Sequence, residues 1–289
     1  MDLSNENIIH VKRDGFEYLQ FKRLNEYSEI KHAYILKPLD LRSHNGNDAV
    51  ANYKAVFDDL NIKIGSLLRP IQKHTNTVEI IENKKNENEP DIYMDYLDNV
   101  DGVITSKAGI TLATTNADCI LFLIYDPVKK VIANVHSGWR GTFQKIVKVA
   151  IGKMIDKYDS YPADLIVCIC PSIRKCHFEV DEDVKQECEK IFADTDRLDE
   201  IIEYMGEKEG KSKYVIDTVL INKIILADLG VKIENVIDSG ICSVCAKEIV
   251  HSRRGEGLDF GLGSAIIRLR PGDVHKKSKL AKLNKKSIE

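Results

Sequence analysis

The amino-acid sequence predicts a mixed α/β (α+β) fold in one compact domain. Apolar runs of strand length alternate with longer segments of helical periodicity after residue 100, and no internal repeat is present. The chain has 289 residues, of which 43% are hydrophobic and 30% charged, as in an ordinary globular protein with a large core. We expect one catalytic-type domain over residues 1–274, including a variable loop at 82–99, and a flexible tail at 275–289 that carries six lysines.

The N-terminal part predicts little regular structure. Residues 1 to about 70 read as irregular, apart from a helix over 49–60 that follows the turn-forming residues 45–48. Residues 82–99 are rich in Asn, Lys, Glu and Asp and contain Pro90, which is typical of an exposed loop.

The pattern sharpens after residue 100. Short β-rich runs that end at turn residues predict strands at 102–105, 110–115, 119–125, 131–135, 165–170, 231–237 and 264–270. Apolar residues at helical spacing predict helices at 142–158, 181–192 and 217–229. This alternation is the basis for the predicted α/β class.

Charge and hydropathy exclude several partners. The net charge is −3 and the sequence pI about 6.3, so no general basic field attracts nucleic acid or an anionic membrane. No apolar run reaches the roughly 18–20 residues that span a bilayer. The polar residues 1–7 lack the features of a signal peptide. We expect a cytoplasmic protein with small-molecule partners. The lysine tail is either a solvated end or a contact for RNA or another polyanion.

Seven cysteines in a cytosolic chain do not predict a disulfide framework. Cys168 and Cys188 lie in apolar patterns and read as buried hydrophobic residues. The pair formed by Cys242 and Cys245 predicts a packed loop, with a structural zinc site or a redox pair as alternatives. Cys176 beside His177 suggests a nucleophile and a base, but neighbours on an extended segment point to opposite sides.

Three potential metal ligands stand at segment ends: His74, Cys119 and His136. Two imidazoles and one thiolate suit Zn²⁺, and three protein ligands leave a fourth position open, as in catalytic zinc sites. Their spacing alone is weak support, because no local pairing joins them and hydrogen-bonded histidines are commoner than ligands.

The residues after His136 indicate an anion site. His136 ends a buried-type strand, and the following turn into a helix presents free backbone N–H groups. Gly138 allows close backbone approach, and the planar guanidinium of Arg140 suits phosphate or carboxylate, with a surface salt bridge as the alternative. Trp139 is interpreted as a core anchor; the alternative is a surface on which a nucleobase stacks.

These segments resemble the laccase-domain family, the YfiH/YlmD type long labelled multicopper polyphenol oxidase. The resemblance covers roughly residues 70–270 in the family's order. The matching segments are Gln72-Lys73-His74, Ala117-Asp118-Cys119, Val135-His136-Ser137-Gly138-Trp139-Arg140-Gly141, Pro171-Ser172-Ile173 with Cys176 and Phe178-Glu179-Val180, Asp217 with Asn222, Cys242-Ser243-Val244-Cys245 and Ser252-Arg253-Arg254.

The resemblance implies layered sheets covered by helices, as in toxin deamidases, and a metal site on His74, Cys119 and His136. It implies purine nucleoside phosphorylase activity on adenosine, inosine and methylthioadenosine, with adenosine deaminase activity. It also carries an older copper-dependent oxidase activity. With eight histidines in the chain, one such site cannot form a trinuclear copper cluster, which favours zinc, although Cu²⁺ would bind there in vitro.

The resulting hypothesis gives each site residue a role. Zinc activates water for deamination at the purine 6-position, or orients phosphate or polarises the nucleoside for phosphorolysis. Asp118 acts as a general acid/base or orients a metal-bound histidine. Cys119, paired with a histidine, is the nucleophile in an alternative metal-independent hydrolase. Phosphate and substrate are expected to contact Arg140, Ser137, Gly138, Arg253 and Arg254. We expect a monomer or small homo-oligomer; a non-enzymatic protein with structural zinc is the third hypothesis.

The chain departs from the family at several positions. An expected N-terminal arginine is replaced by Lys37 or displaced to Arg42, and glycines are replaced by Thr75 and Cys170. A Gly-Arg pair is replaced in the segment 259–261. We therefore expect a pocket that differs from the usual one, with altered nucleoside preference or weak activity.

Overall fold

The structure is a computed structural model that describes residues 1–42, 48–92 and 97–271. The predicted tail at 275–289 and residues 93–96 of the predicted loop lie outside the described residues. Within these limits the chain forms a mixed α/β fold of stacked sheets covered by helices, which confirms the predicted class.

The strands, in chain order, are β1 (Ile8–Arg13), β2 (Phe16–Phe21), β3 (Ile30–Ile35), β4 (Leu67–Arg69), β5 (Val78–Ile80), β6 (Asp91–Ile92), β7 (Gly102–Thr105), β8 (Thr111–Asn116), β9 (Ile120–Asp126), β10 (Val131–Ser137), β11 (Ile166–Ile169), β12 (Glu179–Val180), β13 (Ile202–Lys208), β14 (Lys211–Ile216), β15 (Val236–Asp238) and β16 (Gly263–Leu269). The helices are α1 (Lys22–Asn25), α2 (Asp48–Asp59), α3 (Trp139–Phe143), α4 (Ile146–Tyr158), α5 (Glu182–Ile191), α6 (Leu198–Ile201), α7 (Thr218–Asp228) and α8 (Arg253–Glu256).

Two large sheets form the centre of the fold. A seven-stranded sheet has the order β1-β2-β3-β16-β8-β4-β6, and a six-stranded sheet has the order β15-β11-β9-β10-β7-β5. A smaller sheet has the order β12-β14-β13. The two large sheets pack face to face, because buried residues such as Leu112 and Ile267 of one share a core with Leu123 and Ile132 of the other.

Helices cover the outer faces of the stacked sheets. Residues of α2 pack on the outer face of the seven-stranded sheet, around Tyr53 and Phe57. Residues of α4 and α7 pack on the outer face of the six-stranded sheet, where Ile151 and Leu226 are fully buried. Strands β9 and β10 are covered on both sides and buried along their whole length, which explains their continuous apolar sequences.

One polar side chain bridges the two sheets. Asn134 of β10 is fully buried and donates from Nδ2 to the carbonyl oxygens of Leu112 (3.1 Å) and Ala265 (2.7 Å). Its Oδ1 accepts a hydrogen bond from the hydroxyl of Thr114 at 2.5 Å. These bonds satisfy the buried amide and fix the register of one sheet on the other.

The prediction of an irregular N-terminal part is wrong. Residues 1–42 contain the strands β1, β2 and β3, while the predicted helix at 49–60 is confirmed as α2. Strand β1 carries His10, Lys12 and Arg13 among its apolar residues, so its pattern is not that of a buried strand. Gly15, with φ of +80°, forms the turn that joins β1 to β2.

Other predicted boundaries also change. The predicted helix at 142–158 is two helices, because α3 begins at Trp139 and Lys145 has a φ of +56° before α4. The predicted strand at 231–237 is a 3₁₀ turn, Ile233–Asn235, followed by β15. The predicted loop at 82–99 contains the short strand β6, which pairs with β4. In the described part of the chain, no helix is long and apolar enough to cross a bilayer.

Candidate metal centre

The three predicted ligands come together in the structure. His74 follows β4, Cys119 lies in the turn between β8 and β9, and His136 lies near the end of β10. Their potential ligand atoms all lie within 4.8 Å of one another, and Cys119 Sγ is 3.8 Å from His74 Nε2. The two imidazole rings are 5.0 Å apart at an interplanar angle of 80°. We call these residues the His₂Cys cluster.

Asp101 holds two of these ligands in place. Its fully buried carboxylate accepts hydrogen bonds from the backbone N–H groups of Lys73 (3.2 Å), His74 (3.0 Å) and Thr75 (2.8 Å). The Thr75 hydroxyl also donates to it at 2.7 Å, and His136 Nδ1 lies 2.8 Å from its Oδ1. Because Nδ1 of His136 faces Asp101, Nε2 is the atom left to face the cluster.

Two amides fix the segments around the cluster. Gln72 exchanges two hydrogen bonds of 2.8 Å with the backbone of Thr115. These bonds join the segment that precedes His74 to β8. Asn116 donates to the carbonyl oxygens of Cys119 (2.5 Å) and Pro171 (3.0 Å) and accepts from Tyr34. The ligands are therefore held by buried hydrogen bonds and not by local sequence spacing.

Gly138 makes room for the cluster. A Cβ at this position would lie 2.7 Å from His74 Cδ2 and 3.2 Å from Cys119 Sγ, closer than packed atoms approach. Only glycine allows the backbone to lie against both ligands at once. The close approach seen here is to the side chains of His74 and Cys119, whereas the predicted approach of Gly138 to an anion stays a prediction.

The cluster is electrostatically polarised. Burial raises the pKa of the Cys119 thiol, but the imidazoles of His136 and His74 outweigh burial and lower it to about 6. Burial lowers the pKa of His136, whereas Cys119 and Asp101 raise it to about 9. Burial raises the pKa of Asp101, but its bonds with His136 and Thr75 lower it to about 2. At neutral pH the site thus favours a Cys119 thiolate beside a protonated His136. A divalent metal that displaces the proton from Nε2 would meet a thiolate and an imidazole, a donor set suited to a soft or borderline ion.

The carboxylate of Asp118 does not bond to either histidine of the cluster. Its carboxylate accepts hydrogen bonds from the hydroxyls of Ser243 and Ser252, both at 2.6 Å, and from the backbone N–H of Arg254 at 2.7 Å. The residue that orients a histidine is Asp101, which the sequence pattern did not indicate. Asp118 instead ties the turn at Cys119 to two distant loops, and it has the positive φ of +89° that this turn requires.

A cleft of about 830 Å³ opens beside the cluster and includes His74, Cys119 and His136 in its lining. Arg140 is exposed at its edge, with its guanidinium carbon 4.2 Å from the ring centre of Trp139. Within residues 1–42, 48–92 and 97–271, no carboxylate forms a salt bridge with Arg140. Trp139 is half-buried and packs edge-on against Phe143, which agrees with the predicted role of core anchor.

The other predicted binding residues differ in availability. Arg253 is exposed and stacks over Phe260 at 5.8 Å, whereas the guanidinium of Arg254 donates to the carbonyl oxygens of His177 (2.9 Å) and Glu179 (3.0 Å). Ser137 is buried, and its hydroxyl lies 2.9 Å from that of Thr142. Ser137, Arg253 and Arg254 all line the cleft, but the side chains of Ser137 and Arg254 are engaged in protein contacts.

Of the positions that depart from the family at Lys37, Arg42, Thr75 and Cys170, Arg42 lies at the cleft. Arg42 lines it, while Lys37 forms an ion pair with Glu256 at 2.8 Å. Thr75 uses its hydroxyl to hold Asp101, a bond that glycine could not make. Cys170 is fully buried in the core between the sheets.

A second group of potential ligands was only half anticipated. Cys176, His177, Cys242 and Cys245 place their ligand atoms within 4.8 Å of one another, and we call them the Cys₃His cluster. The expectation that Cys176 and His177 point apart is wrong, because they lie in a turn and their Sγ and Nδ1 atoms are 3.1 Å apart. Cys168 and Cys188 are buried as predicted.

Comparisons with known proteins agree with the fold. The chain is 28% identical over 223 residues to purine nucleoside phosphorylase YlmD of Bacillus subtilis, covering 77% of this chain and 78% of that protein. It is 27% identical over 226 residues to adenosine deaminase RL5 of an unknown prokaryotic organism, covering 77% and 84%. The crystal structure of YlmD from Geobacillus stearothermophilus superposes with a TM-score of 0.78 at 20% identity, covering 91% and 100%.

The family comparison extends over most of the chain. The family described as "Multi-copper polyphenol oxidoreductase laccase" matches residues 21–270, a span that includes both clusters and the cleft. The relatives named above support an enzyme that acts on small molecules. On this match and on the shared fold, the chain belongs to the multi-copper polyphenol oxidoreductase laccase family.

Proposed function

We propose that this protein is a zinc-dependent purine nucleoside phosphorylase, acting on adenosine, inosine and methylthioadenosine, with adenosine deaminase activity. The observation that carries the proposal is the convergence of His74, Cys119 and His136 at the wall of the cleft. The names of two relatives, a purine nucleoside phosphorylase and an adenosine deaminase, support the two reactions.

The residues of the His₂Cys cluster fit a zinc ion. Their donor set of two imidazole nitrogens and one thiolate is that of catalytic zinc sites with an open position. The fit is supported by Asp101, which turns the Nε2 atom of His136 toward the cluster, and by Gly138, whose missing Cβ leaves the ligands free to close. When bound, Zn²⁺ supplies Lewis acidity, which makes water a better nucleophile for deamination and polarises a bound substrate.

The cleft residues bind and orient the substrates. Its volume of about 830 Å³ is in the usual range for small-molecule sites. Arg140 presents a planar guanidinium, restrained by stacking on Trp139, to a phosphate that approaches the cluster. Ser137 lines the cleft together with Arg140, and the neighbouring Gly138 is proposed to offer its backbone to the phosphate. Arg253 with Phe260 offers a cationic and aromatic surface for the purine.

Asp118 contributes to this arrangement through its hydrogen bonds. It keeps its proposed place as a catalytic residue of the site, and its bonds to Ser243, Ser252 and Arg254 give it a second task, which is to hold the loop of Arg253 against the cleft. Because three donors occupy its oxygens, its carboxylate is suited to fixing positions. Proton transfer by Asp118 requires one of these donors to be replaced by substrate or water.

The copper-oxidase alternative has less support in the described residues. Two clusters of potential ligands occur there, and only the His₂Cys cluster has two histidines. Multicopper oxidation requires several copper centres, and the histidines at positions 10 and 32 lie on β1 and β3 and have partners of their own. Binding of a single Cu²⁺ at the His₂Cys cluster remains compatible with its thiolate and imidazoles.

The deciding experiment combines metal analysis with product analysis. The purified full chain is incubated with adenosine or inosine, with and without phosphate. Free base and ribose-1-phosphate demonstrate phosphorolysis, and inosine formed from adenosine demonstrates deamination. The Cys119→Ala variant should lose one zinc per chain and both activities, whereas Cys188→Ala, at a buried position outside both clusters, should keep them. Full turnover by Cys119→Ala, or by metal-free protein, would overturn the proposal.

Arg140 allows a test of the phosphate site alone. Arg140→Gln removes a charged donor, so the KM for phosphate should rise about ten- to hundredfold, with little change in deamination. Lys129→Gln, at an exposed turn after β9, is the matched control and should leave KM unchanged.

Activity that survives chelation but not thiol alkylation would instead identify the metal-independent Cys–His hydrolase.

A further inference from the structure

The Cys₃His cluster is assembled by the fold from two distant segments. Cys176 and His177 lie in the turn between β11 and β12, and Cys242 and Cys245 lie in the loop after β15. Strands β11 and β15 are parallel neighbours, so the segments that follow them leave the same edge of the sheet. The pairing continues past the strands through a parallel bridge between Ser172 and Cys242.

The separations of the four ligand atoms fit a tetrahedral metal. Zinc bonds of about 2.3 Å to sulfur and about 2.0–2.1 Å to nitrogen set ligand separations of about 3.8 Å for two sulfurs and about 3.6 Å for sulfur and nitrogen. The Sγ atoms of Cys176 and Cys242 are 3.6 Å apart. The Nδ1 atom of His177 is 3.6 Å from the Sγ atoms of both Cys242 and Cys245.

The remaining separation is shorter. Cys176 Sγ lies 3.1 Å from His177 Nδ1, so closing the tetrahedron requires the imidazole to move by about 0.5 Å. Both residues lie in one turn, and neither is fully buried. This small adjustment of a side chain is available without a change in the backbone.

The surroundings of Cys242 suit a thiolate. The backbone N–H groups of Arg174, Val244 and Cys245 hydrogen-bond to its sulfur. Several amide dipoles directed at one atom form a site for negative charge, as around cysteine ligands of structural metals. A packed hydrophobic cysteine would have no need of such donors.

Simple packing does not account for the other two thiols. Free cysteines are usually among the most buried residues, yet Cys176 and Cys245 are both exposed while their sulfurs converge on His177. A disulfide between Cys176 and Cys242 would join two of the four residues and would require their sulfurs, now 3.6 Å apart, to approach to about 2.0 Å. It would also leave the convergence of His177 and Cys245 without a cause.

We propose that Cys176, His177, Cys242 and Cys245 bind a structural zinc ion, separate from the ion of the His₂Cys cluster. On binding, the three thiols release their protons to solvent and coordinate as thiolates, and His177 coordinates through neutral Nδ1. All four positions of the tetrahedron are filled by protein, so this ion takes no substrate.

The ion would brace one wall of the cleft. Ser243, inside the Cys242–Cys245 loop, donates to Asp118, the neighbour of Cys119, and Arg254 donates to the carbonyl oxygen of His177. Joining the two segments through zinc therefore fixes the carbonyl that holds Arg254 and the hydroxyl that holds Asp118. Loss of the ion should loosen the loop at 240–254 while leaving the ligands of the His₂Cys cluster in place.

The first test isolates this site in the full-length protein. The double variant Cys119→Ala/His136→Ala disables the His₂Cys cluster, and its zinc content is measured after purification under reducing conditions. We expect one zinc per chain, with X-ray absorption showing three sulfur ligands and one nitrogen ligand. Absence of zinc, fewer than three sulfurs, or a Cys176–Cys242 disulfide detected by mass spectrometry would overturn the proposal.

The second test uses matched single variants of the otherwise natural chain. Cys245→Ser should lose one zinc per chain relative to the unaltered protein, whereas Cys188→Ser should lose none. If Cys245→Ser does not fold, the folded Cys119→Ala/His136→Ala variant, in which the His₂Cys cluster is disabled, is titrated with a thiol-specific mercurial. This should release one zinc per chain to a colorimetric chelator; release of none contradicts the assignment. Zinc content and ligand number are read without nucleoside turnover, so failure of the proposed reactions would leave this result unaffected.

Discussion

A substitution of Asp101 tests the organisation of the His₂Cys cluster most directly. Asp101→Asn preserves the shape of the side chain but replaces one oxygen by an amino group. Oδ1 accepts from His74 and His136, and Oδ2 accepts from the backbone N–H groups of Lys73 and Thr75 and from the hydroxyl of Thr75. Whichever oxygen is replaced, at least two donors lose their acceptor.

The expected cost follows from these bonds. A hydrogen bond to a buried charged group contributes about 1.5–3 kcal/mol, so two lost bonds should reduce the free energy of unfolding of the metal-free protein by about 3–6 kcal/mol. The loop of His74 and the ring of His136 also lose their shared anchor. Zinc affinity should therefore fall about 10- to 100-fold, as for other residues that orient metal-bound histidines.

Two measurements check this prediction. Chemical denaturation of the metal-free protein gives the free energy of unfolding, and competition with a chelator gives the zinc affinity of the His₂Cys cluster. The control is Asp98→Asn, which removes a 2.7 Å ion pair between Asp98 and Lys73 whose side chains are 43% and 53% exposed. An exposed pair contributes at most about 1 kcal/mol. If Asp101→Asn behaves like Asp98→Asn in both measurements, the assigned role of Asp101 is refuted.

Three further predictions concern other features. Gly138→Ala places a Cβ 2.7 Å from His74 Cδ2 and should lower zinc affinity at least about tenfold by chelator competition, whereas Gly152→Ala, with open space around it in α4, should not. Asn134→Ala removes three buried hydrogen bonds and should lower the free energy of unfolding by about 3–5 kcal/mol in denaturant titration; a loss below about 1 kcal/mol would exclude the bridge. Burial lowers the pKa of His32 to about 3, so its contribution to stability is complete above about pH 6.5 and is lost by about 1.4 kcal/mol per unit as the pH falls toward 3. Unfolding measured across this range should lose that slope in His32→Asn; an unchanged slope would contradict it.

The parts of the fold that follow from local pattern could be predicted. Strand β7 and the continuous apolar strands β9 and β10 are buried throughout, so composition alone marks them. Strand β1, with charged residues on its solvent side, and the exposed hairpin β13–β14 carry no such pattern and were missed. Strand β1 pairs with β2, and β13 pairs with β14, so their stability comes from cross-strand contacts that the apolar pattern of a single strand does not reveal.

The candidate site divides in the same way. His74, Cys119 and His136 can be selected because each stands at the end of a segment and together they offer a zinc donor set, but their spacing is weak support, and it is the family resemblance that implies a shared metal site. Asp101 is not recognisable, because its partners lie 27 and 35 residues away and an Asp before a glycine is an ordinary turn signal. A carboxylate directly before a fully buried strand was the one available sign.

The Cys₃His cluster could be predicted only in part from the sequence. The spacing of Cys242 and Cys245 was visible in the sequence. The turn that directs Cys176 and His177 toward them was not, because His177 precedes Cys242 by 65 residues. An assumption of extended backbone there gave the wrong side-chain directions. The bridge between Ser172 and Cys242, which aligns the two segments, depends on the parallel pairing of β11 and β15.

The positions of the ligands also bear on the order of folding. His74 follows a strand of the seven-stranded sheet, His136 belongs to a strand of the six-stranded sheet, and Cys119 lies where the chain crosses from one to the other. The His₂Cys cluster therefore cannot exist until the two sheets have stacked, and its metal affinity reports closure of the sandwich. By contrast, the chain from 166 to 245 contains all four residues of the Cys₃His cluster together with β11 and β15. A nascent chain that has not yet acquired β16 already contains all four of these residues, so we expect the proposed structural ion to bind first and the proposed ion of the His₂Cys cluster last.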